Sequence, residues 1–130
     1  MIHLDTNTVI AFLNGDQSVA SKLRAAVPDV AISALVLAEL CYGAAKSTRR
    51  DENFKRISQL IEIVGVAPFD ASCATAYGKL KLELRQQGTP TGEVDALIAA
   101  TCVACNATVV THNTRHFDNI AGLRLDDWLT

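Results

Sequence analysis

Apolar residues recur along this chain in two rhythms: runs of three or four, and longer stretches in which they return every three or four positions. The short runs are Ile2-His3-Leu4-Asp5, Val30-Ala31-Ile32, Val66-Ala67-Pro68-Phe69 and Ala107-Thr108-Val109-Val110, and they read as strands. Pro68 sets its strand at an edge or an end, because proline cannot donate to a ladder. The longer stretches read as helices. Thr6 or Asn7 can cap the first, which runs to Leu13 and is closed by Gly15; the second spans Gln17 to Val27 and is broken by Pro28. Ser33 caps a third from Ala34 to about Ala45, and a fourth spans Asn53 to Ile63. Asp70 caps a long helix ending at Gln87 and Gly88, and the last runs from Glu93 to Cys105. The polar interval Lys46 to Asp51, the turn Thr89 to Gly92 and the stretch Thr111 to Arg115 read as loops. A short element, Leu123-Arg124-Leu125, precedes Asp126-Asp127-Trp128.

Strands alternating with helices predict an α/β fold with a mostly parallel sheet. With no linker or repeat in 130 residues, the chain reads as one domain over residues 1–130. Aliphatic residues and alanine must build the core, since only 5% of the residues are aromatic. In such sheets ligands sit at the carboxyl ends of the strands, which singles out Asp5, Ser33 and Thr111. No apolar run reaches the ~18 residues that span a bilayer, and Asp5 follows Met1 too closely for a leader, so the reading is cytoplasmic, with no membrane. The four cysteines, Cys41, Cys73, Cys102 and Cys105, all fall in apolar helical pattern. Cys102-x-x-Cys105 has the spacing of a redox or zinc half-site, but with no second pair the four read as small core residues. A net charge of −2 excludes a general nucleic-acid coat. A polyanionic substrate then requires local basic clusters or a metal bridging to phosphate.

Three acids are out of keeping with their surroundings. Asp5 ends the first apolar run, Glu39 interrupts Leu35-Val36-Leu37-Ala38-Glu39-Leu40, and Asp95 precedes Ala96-Leu97-Ile98-Ala99-Ala100. A carboxylate in an apolar setting costs several kcal/mol unless paired. At ~4 Å and an effective dielectric of ~20, each pair of charges repels by about 4 kcal/mol. A bound divalent cation cancels that repulsion. Taken singly, each acid has a plainer role: Asp5 as a helix cap, and Asp95 as a first-turn acid favoured by the helix dipole. For Glu39, apolar neighbours on both sides predict that much of its helix is buried.

Four blocks now in view resemble the PIN-domain nucleases, specifically the toxins of VapBC toxin–antitoxin pairs. They are Ile2-His3-Leu4-Asp5-Thr6-Asn7-Thr8-Val9-Ile10, Ser33 through Gly43, Pro90 through Ala100, and Val110-Thr111-His112-Asn113-Thr114-Arg115-His116-Phe117 with the later Leu123 through Trp128. The resemblance implies a three-layer α/β/α sandwich and an endoribonuclease that uses Mg²⁺ or Mn²⁺. Asp5, Glu39 and Asp95 match the family's core acids, with hard oxygen donors that suit those ions. Thr6 is expected to orient Asp5, and Thr111 and Asn113 to support the site. The family's fourth acid is His116 here, and Asp118 substitutes only if the loop turns differently. The number of ions, one or two, is thereby left open, with His116 as a phosphate contact or proton donor, or a partly exposed loop histidine.

Lys46, Arg49, Arg50, Lys55, Arg56 and Arg115 are the candidate phosphate contacts, although any one of them also suits an ordinary solvated face. Lys79, Lys81 and Arg85 fit solvated positions of the long helix. The resemblance also implies a structured RNA substrate such as tRNA or rRNA, a homodimer, and a VapB-type antitoxin whose peptide lies in a groove formed by the N-terminal helices and residues 44 to 61. Operator DNA would be met only through that antitoxin. Trp128 is expected to anchor packing, with Asp126 and Asp127 at the exposed C-terminal surface. Two other readings compete. One is a degenerate PIN domain that binds RNA or a partner without catalysis. The other is a haloacid-dehalogenase-like phosphohydrolase, suggested by Asp5-Thr6-Asn7-Thr8-Val9 but lacking the second aspartate.

Overall fold

The computed structural model describes residues 1–89 and 91–129; the predicted turn at Pro90 lies partly outside them. Five strands form one sheet in the order β3-β2-β1-β4-β5, and every pairing is parallel. They are β1 (Ile2–Leu4), β2 (Val30–Ser33), β3 (Gly65–Ala67), β4 (Thr108–Val110) and β5 (Leu125–Asp126). Six helices connect them: α1 (Thr6–Leu13), α2 (Gln17–Ala26), α3 (Ala34–Ala45), α4 (Arg50–Ile63), α5 (Ala71–Gln87) and α6 (Glu93–Cys105). A single 3₁₀ turn, Thr114–His116, lies between β4 and β5. No helix among the described residues is long and apolar enough to cross a membrane.

The order of strands determines where a ligand can sit. From β1 the chain moves outward to β2 and β3, then returns past β1 to β4. Right-handed crossovers therefore place α1–α4 on one face and α5–α6 on the other. The direction reverses between β1 and β4, which opens a crevice beyond their carboxyl ends. Leu4, Ile32, Val109 and Val110 fill the sheet's centre, and Val9, Val36 and Ile98 pack on it from the helices, all at most 1% exposed.

Capping fixes most helix starts as the sequence implies. Asp16, Ser33 and Asp70 each accept a hydrogen bond from the backbone N–H three residues on. Gly88 closes α5 at φ 68°, a left-handed turn that costs glycine little. Pro68 directly follows β3, which is an edge strand. Trp128 is buried as a packing anchor. Of the two C-terminal acids, Asp126 is exposed, whereas Asp127 is largely shielded and lies 3.1 Å from His112 Nδ1.

Some boundaries differ from the expectation. α4 begins at Arg50 rather than Asn53 because Ser47 Oγ accepts from Arg49 N–H and from the Asn53 amide, while Asp51 and Glu52 complement the helix dipole. β3 lies at Gly65–Ala67 rather than Val66–Phe69, and β5 is displaced to Leu125–Asp126 by its pairing with Val109 and Val110. Of the cysteines, Cys73 and Cys102 are core residues as expected, but Cys41 is only half-buried and Cys105, in the last turn of α6, is exposed.

Candidate active site

Asp5 stands at the mouth of the crevice between β1 and β4. Its N–H donates to Val110 C=O at 2.8 Å, which continues the ladder one residue past β1 and fixes the backbone. The side chain then turns to cap α1. Oδ1 accepts from Thr6 N–H at 2.9 Å, and Oδ2 accepts from Thr111 Oγ1–H at 2.8 Å. Asp5 is 6% exposed and Thr111 fully buried, so this is a carboxylate held rigidly at the protein's interior edge. Asp5 is thus the helix cap of the plain reading, in a geometry that also leaves it a candidate site acid.

Thr111 orients this aspartate in turn. Its hydroxyl donates to Asp5 and accepts from Asn113 N–H at 3.0 Å. Asn113 thus supports the site through its backbone, while its side chain is exposed. Two residues outside the expected set complete the frame. Asn7 Oδ1 accepts from His112 N–H at 3.2 Å, tying the start of α1 to the loop after β4. The buried Thr8 hydroxyl reaches Val110 C=O at 3.4 Å. Their adjacency to Asp5 in a strand-to-helix turn is a sequence signal for this role.

Glu39 and Asp95 approach from α3 and α6. Thr6 Oγ1–H donates to Glu39 Oε1 at 2.5 Å, so Thr6 bridges Asp5 to Glu39 through its backbone and side chain. Glu39 is exposed, contrary to the burial expected for its apolar run; Leu40 turns inward and Ala38 outward beside it. Asp95 is half-buried, and its Oδ2 lies 3.1 Å from His116 Nδ1. Burial pushes the Asp95 carboxyl above the ordinary aspartate range, and the charges of Asp5 and Glu39 push it further, against a smaller opposing pull from His116. The charges of Asp5 and Glu39 thus reach Asp95, with burial the larger cause of its shift. Asp118, two residues beyond His116, is exposed.

The donor set fits a hard divalent cation. It is all oxygen, and among the described residues neither Lys nor Arg forms an ion pair with any of the three acids. The fit is of chemistry rather than of finished geometry: among the described residues, no three Asp, Glu, His or Cys side chains are drawn together as a ligand cluster.

The basic residues divide. Arg115 and His116 line a cavity of about 330 Å³ with Asp95, Gly92 and Asn119. Lys46, Arg49 and Arg50 lie at and beyond the end of α3, where Arg49 pairs with Glu52 at 2.5 Å and Lys46 sits over the Tyr42 ring. Arg56 lines a second cavity, of about 210 Å³, that also touches Glu39. Lys81 pairs with Glu93 on the opposite side of α6, and Lys79 and Arg85 are exposed as expected.

Comparison with known proteins agrees with this geometry. The PIN domain model matches residues 2–123. The chain is 36% identical over 126 residues to the tRNA(fMet)-specific endonuclease VapC of Shigella flexneri, covering 96% of each chain. It is 40% identical over 99 residues to ribonuclease VapC2 of Rickettsia felis, covering 76% of this chain and 74% of the relative. Among solved structures, VapBC2 from Rickettsia felis bound to a promoter DNA fragment superposes with a TM-score of 0.92 at 36% identity, covering 98% of this chain and 99% of the other. DNA-bound VapBC from Salmonella typhimurium gives a TM-score of 0.93 at 33% identity, with the same coverage. Fold, order of motifs and relatives agree, and the haloacid-dehalogenase reading falls: the chain belongs to the PIN-domain family, among its VapC-type members.

Proposed function

We propose that this chain is a metal-dependent endoribonuclease, the toxin of a VapBC pair, and that it blocks translation by cutting structured RNA such as tRNA or rRNA. The observation that carries the reading is the placement of Asp5, Glu39 and the half-buried Asp95 at one crevice, with Thr6 bridging the first two and no lysine or arginine paired with any of the three among the described residues. Asp5, Glu39 and Asp95 would hold Mg²⁺ or Mn²⁺, and such an ion supplies a lowered pKa for attacking water and charge neutralisation at phosphorus. Thr111 and Thr6 lock the Asp5 carboxylate so that its free lone pairs face the crevice mouth. His116 holds Asp95 from the other side, and Arg115, on the same cavity, meets the phosphate. Lys46, Arg49 and Arg50 extend that contact along the strand, although Arg49 must first release Glu52.

The second cavity supports the partner reading. Ile10, Leu13, Leu40, Ala44 and Ile57 give it an apolar wall that ends at Glu39. An apolar antitoxin segment lying there would cover the acid cluster from one side. Relatives solved as DNA-bound VapBC complexes support a VapB-type partner; operator contact only through that partner, a homodimer and a cytoplasmic setting are parts of the same proposal.

Incubating the purified, antitoxin-free chain with total cellular RNA tests the proposal. Cleavage in Mg²⁺ or Mn²⁺ that EDTA stops and Asp5→Ala removes is the expected result. RNA binding without cleavage would establish the degenerate, non-catalytic alternative instead.

A further inference from the structure

The most exposed large apolar side chain among the described residues is an aromatic one turn from the acid cluster. Tyr42 is 68% exposed, and its hydroxyl has no protein partner among the described residues. It follows Glu39 by three positions on α3, which makes the two side chains neighbours about 5–6 Å apart at Cβ. Lys46, one turn further on, places its Nζ 4.8 Å from the ring centroid. The cation covers one face of the ring and leaves the rest of the side chain to solvent.

The register of α3 separates this feature from the apolar groove. At about 100° per residue, Leu40, Gly43 and Ala44 fall on one side of Glu39, and these three line the groove. Tyr42 falls about 60° to the other side and is not part of the groove lining. Glu39 is therefore a divide, with an aliphatic wall to one side and a flat π-surface capped by a cation to the other. An aliphatic wall suits a peptide. An exposed ring beside a phosphate-seeking ammonium suits a nucleobase, since every base has a π-face and its backbone carries the charge that Lys46 complements.

We propose that Tyr42, with Lys46 on its ring, is a stacking platform for an unpaired nucleobase of the RNA next to the phosphodiester held at the acid cluster. This rests on the ribonuclease reading and makes Tyr42 a substrate-positioning residue. It follows that the substrate is bound as single-stranded or loop RNA, because a base in a duplex has no free face.

The test uses full-length protein carrying Asp95→Asn, so that RNA is bound uncut, and a ten-nucleotide single-stranded RNA with 2-aminopurine at its centre. Binding should quench the 2-aminopurine. Adding Tyr42→Leu should abolish the quench and weaken binding about 5- to 150-fold, the equivalent of about 1–3 kcal/mol for one stacked base. Tyr42→Phe should keep both. Lys46→Ala should lower the salt dependence of binding by about one ion, whereas Tyr42→Leu should leave it unchanged, a difference that a structural role does not produce. Unchanged affinity and quenching in Tyr42→Leu would overturn the platform, as would loss of apolar-peptide binding with RNA binding intact. Failure of the parent protein to bind any RNA would sink the ribonuclease reading first. Tyr42 is a surface residue, so thermal melting of each variant should match the parent.

Discussion

Glu93 and Asp95 stand two residues apart in the first turn of α6, yet the protein pushes their carboxyls in opposite directions. Glu93 faces α5, where the Tyr77 hydroxyl donates to it and Lys81 pairs with it, and its carboxyl is held below the ordinary range by those two contacts. Asp95 faces the crevice, and its carboxyl is raised by burial and by two other acids. One helix turn thus has a carboxylate paired with an ammonium that ties two helices together, and another that faces two like charges with only the His116 ring beside it. Number of acids is a poor guide to a site; missing counter-charge is a better one.

The strongest way to test that contrast is through activity. Asp5→Ala should lower RNA cleavage by more than about 100-fold, beyond what loss of a supporting contact typically costs, while Glu93→Gln should leave cleavage near wild type. Equal losses in the two, read as initial rates on one RNA, would erase the distinction. Next is Thr111→Val, which leaves Asp5 Oδ2 buried without its donor. It should cost about 10- to 100-fold in cleavage and about 1–3 kcal/mol in stability by urea unfolding.

The stability comparison is smaller but has opposite signs. A carboxyl raised by folding prefers its proton in the folded state. Its favourable contribution is therefore present at low pH and lost as pH rises from the ordinary aspartate value through the raised one. Asp95→Asn removes that loss and should raise Tm at pH 7. For Glu93, depressed by folding, the contribution is present above its ordinary value and lost as pH falls, so Glu93→Gln should not raise Tm at pH 7. Calorimetry of both variants between pH 3 and 7 checks the two slopes.

The smallest effect belongs to His3, on β1 and 2% exposed, with its Nδ1 3.5 Å from Cys102 Sγ. Burial holds its imidazole below the ordinary histidine range. The unfolded chain then takes up a proton near pH 6.5 while the folded chain does not, so stability falls as pH drops from there through the depressed value. His3→Gln should narrow the difference in urea midpoint between pH 7 and pH 5.5.

Much of this was legible in the sequence because strand ends and caps are local. Asp5 and Thr111 each close an apolar run, and the parallel α/β pattern implies that such ends gather. Glu39 was legible as a member of the site but not in its exposure. In Leu35-Val36-Leu37-Ala38-Glu39-Leu40 nearly every residue is apolar, so helical periodicity has no polar face to mark the outside, and Leu35 and Leu37 lie only half-buried. Cys105 was obscured in the same way at the end of an equally apolar helix. The early start of α4 was hidden because Ser47 acts from outside the helix, two residues before Arg49. The charge pairing of Arg49 with Glu52 was a spacing of three that the loop assignment left without a helix to act on.

The ladder bond from Asp5 N–H to Val110 C=O ties the site's innermost acid to the central strand β4, and the bond from Thr111 N–H to Asp126 C=O ties its support to the edge strand β5. An amide held between β1 and β4 opens to solvent only when the sheet comes apart, whereas Asn113 and His116 lie on a loop that can fray alone. The innermost half of the site is therefore as durable as the fold itself and has no partly unfolded, silent form short of general collapse. Restraint of this chain's chemistry must come from something that covers the crevice, or from degradation of the whole molecule.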